Sequence, residues 1–389
     1  VSERLMGPVP KSGLAKDTFL VSRDSRRFAY LDRTGSQWFA VVDGKRGKQY
    51  PEILKESLII SPDSQHVAYV TEIGNKQVMV VDGVEGTAYE RVGWGWASAF
   101  LKHNPFGSFP VFSPDGKRVA YAAKIEKAWS VIVDGQQQKA YDEIGPLVFS
   151  ADSNSLAYEA RLGKEWFLVL NGRERNTLPY RGSTFLGYPV FSPDGKRLAY
   201  EIGYRPYGEA VVVDDREGEK FDGVDTESIV FSPDSRRIAY VARDVGKLFQ
   251  GEKELVVLDG TKQAPYDSVV RPLRFSPDSQ RFAYAAFSRG YGRLHLVVDG
   301  QVTDLDMERR RSAGSALVPE VGFSRDSKRV ALFGDWPGYA FLLVDGKEVA
   351  ERREERRVFQ AVFSPDGQRL AYTYGKGSSW SVVVDGKEG

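Results

Sequence analysis

The chain has 389 residues, 54 basic against 53 acidic side chains, and a net charge of +1. A balance this close gives no bulk attraction to nucleic acid or to an anionic membrane, and no apolar stretch approaches the length of a membrane span. Cysteine is absent, which excludes disulfides, thiol nucleophiles and thiolate metal sites.

The first eighteen residues carry no repeat. From there on one phrase recurs, with Ser-x-Asp turns beginning at Ser22, Ser61, Ser113, Ser150, Ser192, Ser232, Ser276, Ser324 and Ser364. The mean spacing is about 43 residues, within the range of four-strand propeller repeats. The third copy shows the elements in order. Pro110-Val-Phe is a short apolar strand ended by the turn Ser113-Pro-Asp-Gly116, and Arg118-Val-Ala-Tyr121 opens a second strand. Trp129-Ser-Val-Ile-Val133 is a third strand, closed by the hairpin dipeptide Asp134-Gly135. Lys139-Ala-Tyr141 supplies a fourth strand, so each repeat has the content of one propeller blade. These strands are named a, b, c and d in chain order.

Residues 19 to 389 resemble the WD-repeat-like β-propeller of the TolB family, on phrases such as Phe191-Ser-Pro-Asp-Gly195 followed by Ala199-Tyr200. The resemblance implies an all-β, single closed β-propeller of four-stranded antiparallel blades spanning 1–389. Nine copies predict nine blades, with eight blades and one copy outside the ring as the alternative. Ser22-Arg-Asp and Ser324-Arg-Asp depart from the pattern by lacking the proline, and the fourth copy has Ser150-Ala-Asp and Asn171-Gly172. The ninth copy runs out at Asp385-Gly386, after its strand c. The segment 1–18, around Glu3 to Val9, is therefore expected to close the ring as strand d of the last blade. Propellers of this kind occur in periplasmic translocation systems, in surface proteins and as gates of prolyl-oligopeptidase-like hydrolases. The resemblance suits a bacterial periplasmic or extracellular monomer and is compatible with the cytoplasm.

The spacing from the turn serine to the Ala-Tyr position is eight residues in every copy, whereas the other connections vary. In an antiparallel blade the constant a–b and c–d turns share one side, and the variable b–c and d–a loops share the other. Binding residues usually sit on variable loops of a rigid scaffold. The aromatic and arginine side chains on those loops are Trp94 and Trp96; Tyr204, Arg205 and Tyr207; Arg289, Tyr291 and Arg293; and Trp336 with Tyr339. Trp, Tyr and Arg are common interface hot spots.

Other features read as structural. The aspartates of the Ser-x-Asp turns are expected to bond turn backbone rather than metal. Arg27, Arg118, Arg197, Arg237, Arg281, Arg329 and Arg369 are expected to pair with aspartates between blades rather than to bind a polyanion. Trp38, Trp129, Trp166 and Trp380 stand in a constant register of strand c and are expected to pack between blades. His66, His103 and His295 have no metal-ligand spacing, and neither a G-x-S-x-G elbow nor a phosphate loop occurs. The sequence thus points to a non-enzymatic scaffold for a protein or peptide partner, without cofactor, metal, nucleic acid or membrane insertion. The alternative is the propeller of a larger enzyme, either a prolyl-oligopeptidase-like hydrolase gate or a polysaccharide-active propeller.

Overall fold

The structure, a computed structural model, describes residues 18–93, 110–175, 183–204, 208–245, 252–288, 292–306, 319–336, 339–353, 356–376 and 379–388. Within them nine antiparallel sheets follow one another, one per repeat, with no α-helix and a single 3-10 turn at Lys55–Ser57. The chain divides into two compact units, residues 1–205 and 206–389, with the division in the fifth repeat.

The third sheet shows how sequence becomes blade. Its strands a to d are Val111–Phe112, Val119–Ile125, Ala128–Val133 and Gln136–Tyr141, paired in chain order. Strand b is buried along most of its length, so successive side chains serve neighbouring sheets on opposite faces. Strand a comes in two pieces, because Arg91–Val92 also pairs with strand b. The insertion after Gly93 therefore interrupts strand a, instead of following strand d as its spacing suggests. The chain leaves opposite Ala123 and returns opposite Ala120.

The Ser-x-Asp turn is closed from within. Ser113 donates to Asp115 Oδ1 at 2.6 Å and accepts from the Arg118 amide at 3.0 Å, while the Lys117 amide donates to Asp115 at 3.2 Å. The bond from the amide two residues on recurs in all nine copies, as the sequence reading expects. Among the described residues no group of three or more His, Asp or Glu side chains could hold a metal ion.

The c–d turn is equally constrained. Asp134 and Gly135 have φ of 50° and 79°, the two positive angles of a type I′ turn. That conformation swings the Asp134 side chain back to the start of strand b, where Oδ1 accepts from the Val119 amide at 2.8 Å and Oδ2 accepts from Arg118 Nε at 3.0 Å.

This corrects the expectation for the arginines. Each ion pair shown lies within one blade, between the arginine and its own repeat's Val-Asp-Gly aspartate. Examples are Arg27–Asp43 at 2.9 Å, Arg237–Asp259 at 2.9 Å and Arg281–Asp299 at 3.0 Å. The flat face of the guanidinium is what crosses between sheets. Arg118 lies 5.3 Å from the Phe149 ring of the next sheet, Arg281 5.4 Å from Phe323 and Arg329 5.2 Å from Phe363. Arg281 Nη1 also donates to the Lys328 carbonyl at 2.8 Å. In the fourth repeat, where Ser155 replaces arginine, Asn171 replaces the aspartate and donates to Ser155 Oγ at 3.2 Å.

Within the first unit, buried side chains join the first sheet to the second, the second to the third and the third to the fourth. Within the second unit they join the sixth to the seventh, the seventh to the eighth and the eighth to the ninth. A recurrent contact sets the edge of a strand d aromatic against the Ala-Tyr tyrosine of the next sheet. Tyr50–Tyr69 at 6.1 Å, Tyr89–Tyr121 at 6.3 Å and Tyr266–Tyr284 at 6.3 Å are examples. Such edge contacts contribute about 0.5–1.5 kcal/mol each beyond area burial.

The strand c tryptophans divide. Trp129 is buried between the third and fourth sheets, and Trp38 packs partly buried against the core of the first and second. Trp166 is half-buried. Trp380 is 49% exposed. It shares with Val362 and Val382 the outer face of the ninth sheet, which no later sheet of its unit covers. The ninth sheet also begins a strand d of its own, Lys387–Glu388, although the sequence reading ends that copy at strand c. The expected closing strand around Glu3 to Val9 lies outside the described residues.

Candidate functional site

On the fixed-turn side, aspartate, serine and arginine are occupied by the bonds above. Two open pockets lie there in the first unit. One, of about 370 Å3, is lined by Arg27, Asp43, Arg46 and Asp82, and the other, of about 310 Å3, by Arg118, Tyr158 and Asn171. Of the cations lining the first, Arg27 is paired with Asp43 and Arg46 with Asp32, and Lys45 lines it as well.

On the variable-loop side, Tyr204 ends strand Leu198–Tyr204 and is half-buried. Arg293 opens strand Arg293–Val298, opposite Ser288. Trp336 and Tyr339 are paired across their hairpin as the last residue of one strand and the first of the next. Trp94, Trp96, Arg205, Tyr207, Arg289 and Tyr291 lie outside the described residues.

Around Arg293 the structure assembles a group that residue spacing alone did not suggest. His295 on strand c is 7% exposed. Its Nδ1 lies 2.7 Å from Asp304 Oδ1 on strand d, and its Nε2 lies 2.7 Å from Ser288 Oγ at the end of strand b. Arg293 Nη1 reaches Asp304 Oδ2 at 3.2 Å. Tyr266, arriving from the sixth repeat, sets its ring 5.0 Å from the imidazole. Burial, with the Asp304 charge adding, pushes the Tyr266 phenol up, so it stays neutral beside the histidine.

The geometry follows from the hairpin. Pairing runs outward from the Asp299-Gly300 turn without a register shift, and His295 and Asp304 form the fourth pair. In the first, second and third sheets a bulge interrupts the same stretch of the c–d ladder. The signal in the sequence was therefore a histidine four residues before the turn aspartate and an aspartate five residues after it, with a serine ending the preceding strand.

A second feature lies on strand b of the fourth and fifth repeats. Glu159 and Glu201 each follow the Ala-Tyr tyrosine and are each 4% exposed. Burial, with the Glu143 charge adding, pushes the Glu159 carboxyl up to about 8. Gly145 makes the space, since a Cβ there would stand 2.4 Å from Glu159 Oε1.

No family profile and no curated protein matches the chain. Among solved structures, a eukaryotic initiation factor is 14% identical, covering 92% of this chain and 92% of that chain with a TM-score of 0.41. An oligogalacturonate lyase in complex with manganese is 14% identical, covering 71% and 86% with a TM-score of 0.34. The β-propeller domain of the Trilobed protease from Pyrococcus furiosus is 13% identical, covering 86% and 96% with a TM-score of 0.27.

Proposed function

We propose that the chain is a nine-bladed, closed β-propeller of the TolB type that binds a protein or peptide partner through its variable b–c and d–a loops. The observation that carries the reading is the occupied state of the fixed-turn side. The arginines and aspartates of the fixed turns are committed to one another and to the next sheet, as in Arg118 with Asp134 and Phe149. On the variable side, Arg293 pairs with Asp304 of its own sheet, and Tyr204 stands half-buried at the end of its strand. Ring closure is favoured by the apolar faces at the two ends of the repeat array. Phe19 and Val21 of the first sheet are 48% and 51% exposed, and Val362 and Val382 of the ninth are 55% and 51% exposed. Closure would remove both faces and their strand edges from water. Among the described residues no helix is long and apolar enough to cross a membrane; a periplasmic or extracellular setting is part of the proposal.

The test is a matched alanine scan against a captured partner. Trp96→Ala, Tyr291→Ala and Trp336→Ala should each weaken affinity by about 2 kcal/mol or more where they are hot spots. Arg118→Ala and Arg237→Ala should leave affinity unchanged while lowering stability. Affinity that followed the turn-side arginines would place the binding surface on the other side. The enzyme alternative is favoured by a different observation, the hydrogen-bonded group around His295.

A further inference from the structure

A carboxylate only accepts hydrogen bonds, so the 2.7 Å contact with Asp304 Oδ1 fixes the imidazole proton on His295 Nδ1. In the neutral imidazole the Nε2 lone pair is then turned toward Ser288, whose hydroxyl donates to it at 2.7 Å. The order is hydroxyl, imidazole, carboxylate, from three different strands of one sheet. Equivalent positions to His295 hold Phe39, Val78, Ser130, Phe167, Ala210, Leu255, Phe341 and Ser381, of which Val78, Phe167, Leu255 and Phe341 are buried core. Packing alone thus does not require a histidine here. Had the histidine needed only one partner, Asp304 would have sufficed; the hydroxyl on its other nitrogen completes the arrangement that activates a serine. Arg293 holds the second oxygen of Asp304 and so fixes the carboxylate's orientation. The imidazole is shielded, whereas Ser288 is half-buried at the strand end on the variable-loop side.

We propose that Ser288 is an activated nucleophile that takes the acyl group of a small, unhindered ester, with His295 as general base and Asp304 as its positioning residue. Ser288 Oγ bonds to the ester carbonyl carbon as its proton passes to His295 Nε2. The tetrahedral adduct collapses, the carbon–oxygen bond to the alcohol breaks, and the departing alkoxide takes the proton from Nε2. The acyl group has moved from alcohol to serine with no change in oxidation state. Water activated by the same imidazole then releases the carboxylic acid and restores Ser288. This chemistry goes beyond the binding reading and does not depend on it, since failure to find a partner leaves it standing.

The experiment treats the full chain with p-nitrophenyl acetate and, separately, with a fluorophosphonate, followed by intact mass measurement and peptide mapping. A single adduct on Ser288 is expected, absent in Ser288→Ala. His295→Gln should slow acetylation about 100-fold or more and abolish the rise of rate with pH that the unmodified chain follows. Asp304→Asn should slow it as well, and it decides the matter should His295→Gln fail the accompanying melting and circular-dichroism check. No adduct on Ser288 with either reagent overturns the proposal, as does an acetylation rate that is unchanged in the folded variants.

Discussion

His66 stands where seven other repeats have arginine, and its Nδ1 lies 2.6 Å from Asp82 Oδ2. The imidazole reproduces both functions of the guanidinium, pairing with its own repeat's turn aspartate and lying against the next sheet's phenylalanine, Phe112, at 6.3 Å. One position of the repeat therefore links the c–d turn of one blade to the core of the next, whether arginine or histidine fills it. His66→Arg is expected to match or exceed the parent in thermal stability, and His66→Ala to fall below both by about 1 kcal/mol. Equal melting temperatures for all three would show that the position carries no linkage.

The same linkage predicts that lysine cannot replace arginine. Arg237 donates to Asp259 at 2.9 Å, donates to the Gln280 carbonyl at 3.2 Å and covers Phe275 at 5.3 Å. Lysine keeps the charge but lacks the planar fork. Arg237→Lys should lose roughly 1–2 kcal/mol in urea unfolding, from one hydrogen bond and the ring contact. A loss no greater than experimental error would mean that charge alone suffices.

Glu159 gives stability a pH dependence of known sign. Its folded carboxyl is raised by burial to about 8 from an ordinary 4.5. Its contribution is fully present below 4.5 and is lost as pH rises through 8. The upper bound is about 1.4 kcal/mol per unit. Glu159→Gln removes the charge while keeping the shape. The variant should melt above the parent at pH 8 and close to it at pH 4.5; an equal gap at both values would contradict this origin.

The turn aspartates act in the opposite direction. The Ser113 hydroxyl and then the Lys117 amide hold Asp115 below the usual 3.8, and the Ser232 hydroxyl and the Arg236 amide do the same for Asp234. Stability from these depressed groups is present above 3.8 and is lost as pH falls through their lower folded values. Melts taken between about pH 5 and pH 2 should therefore drop steeply, and Asp115→Asn combined with Asp234→Asn should make the drop shallower. An unaltered acid limb would mean that other carboxylates govern it.

Several parts of the structure were legible because they depend on residues close in the chain. The serine–aspartate turn closes within five residues, and the Asp-Gly hairpin fixes strands c and d, so nine repeats gave nine sheets. The arginines' partner was misplaced because the type I′ turn brings Asp134 back to Arg118 from sixteen residues away, which spacing alone does not reveal. Trp380 matched the register of Trp129, but burial depends on a following sheet and not on register. The Ser288–His295–Asp304 group was missed for a related reason. It appears only when the unbulged c–d ladder is laid out residue by residue, since the three side chains share a face without sharing a motif.

The central claim is that the partner meets the variable-loop side. Amide hydrogen exchange of the full chain with and without its captured partner tests it most directly. The account predicts slowed exchange in the b–c and d–a segments around Trp96, Tyr204, Arg293 and Trp336, and unchanged exchange at the turns following Ser113, Ser232 and Ser276. Protection concentrated at those serine turns, with the loop segments unchanged, would contradict it.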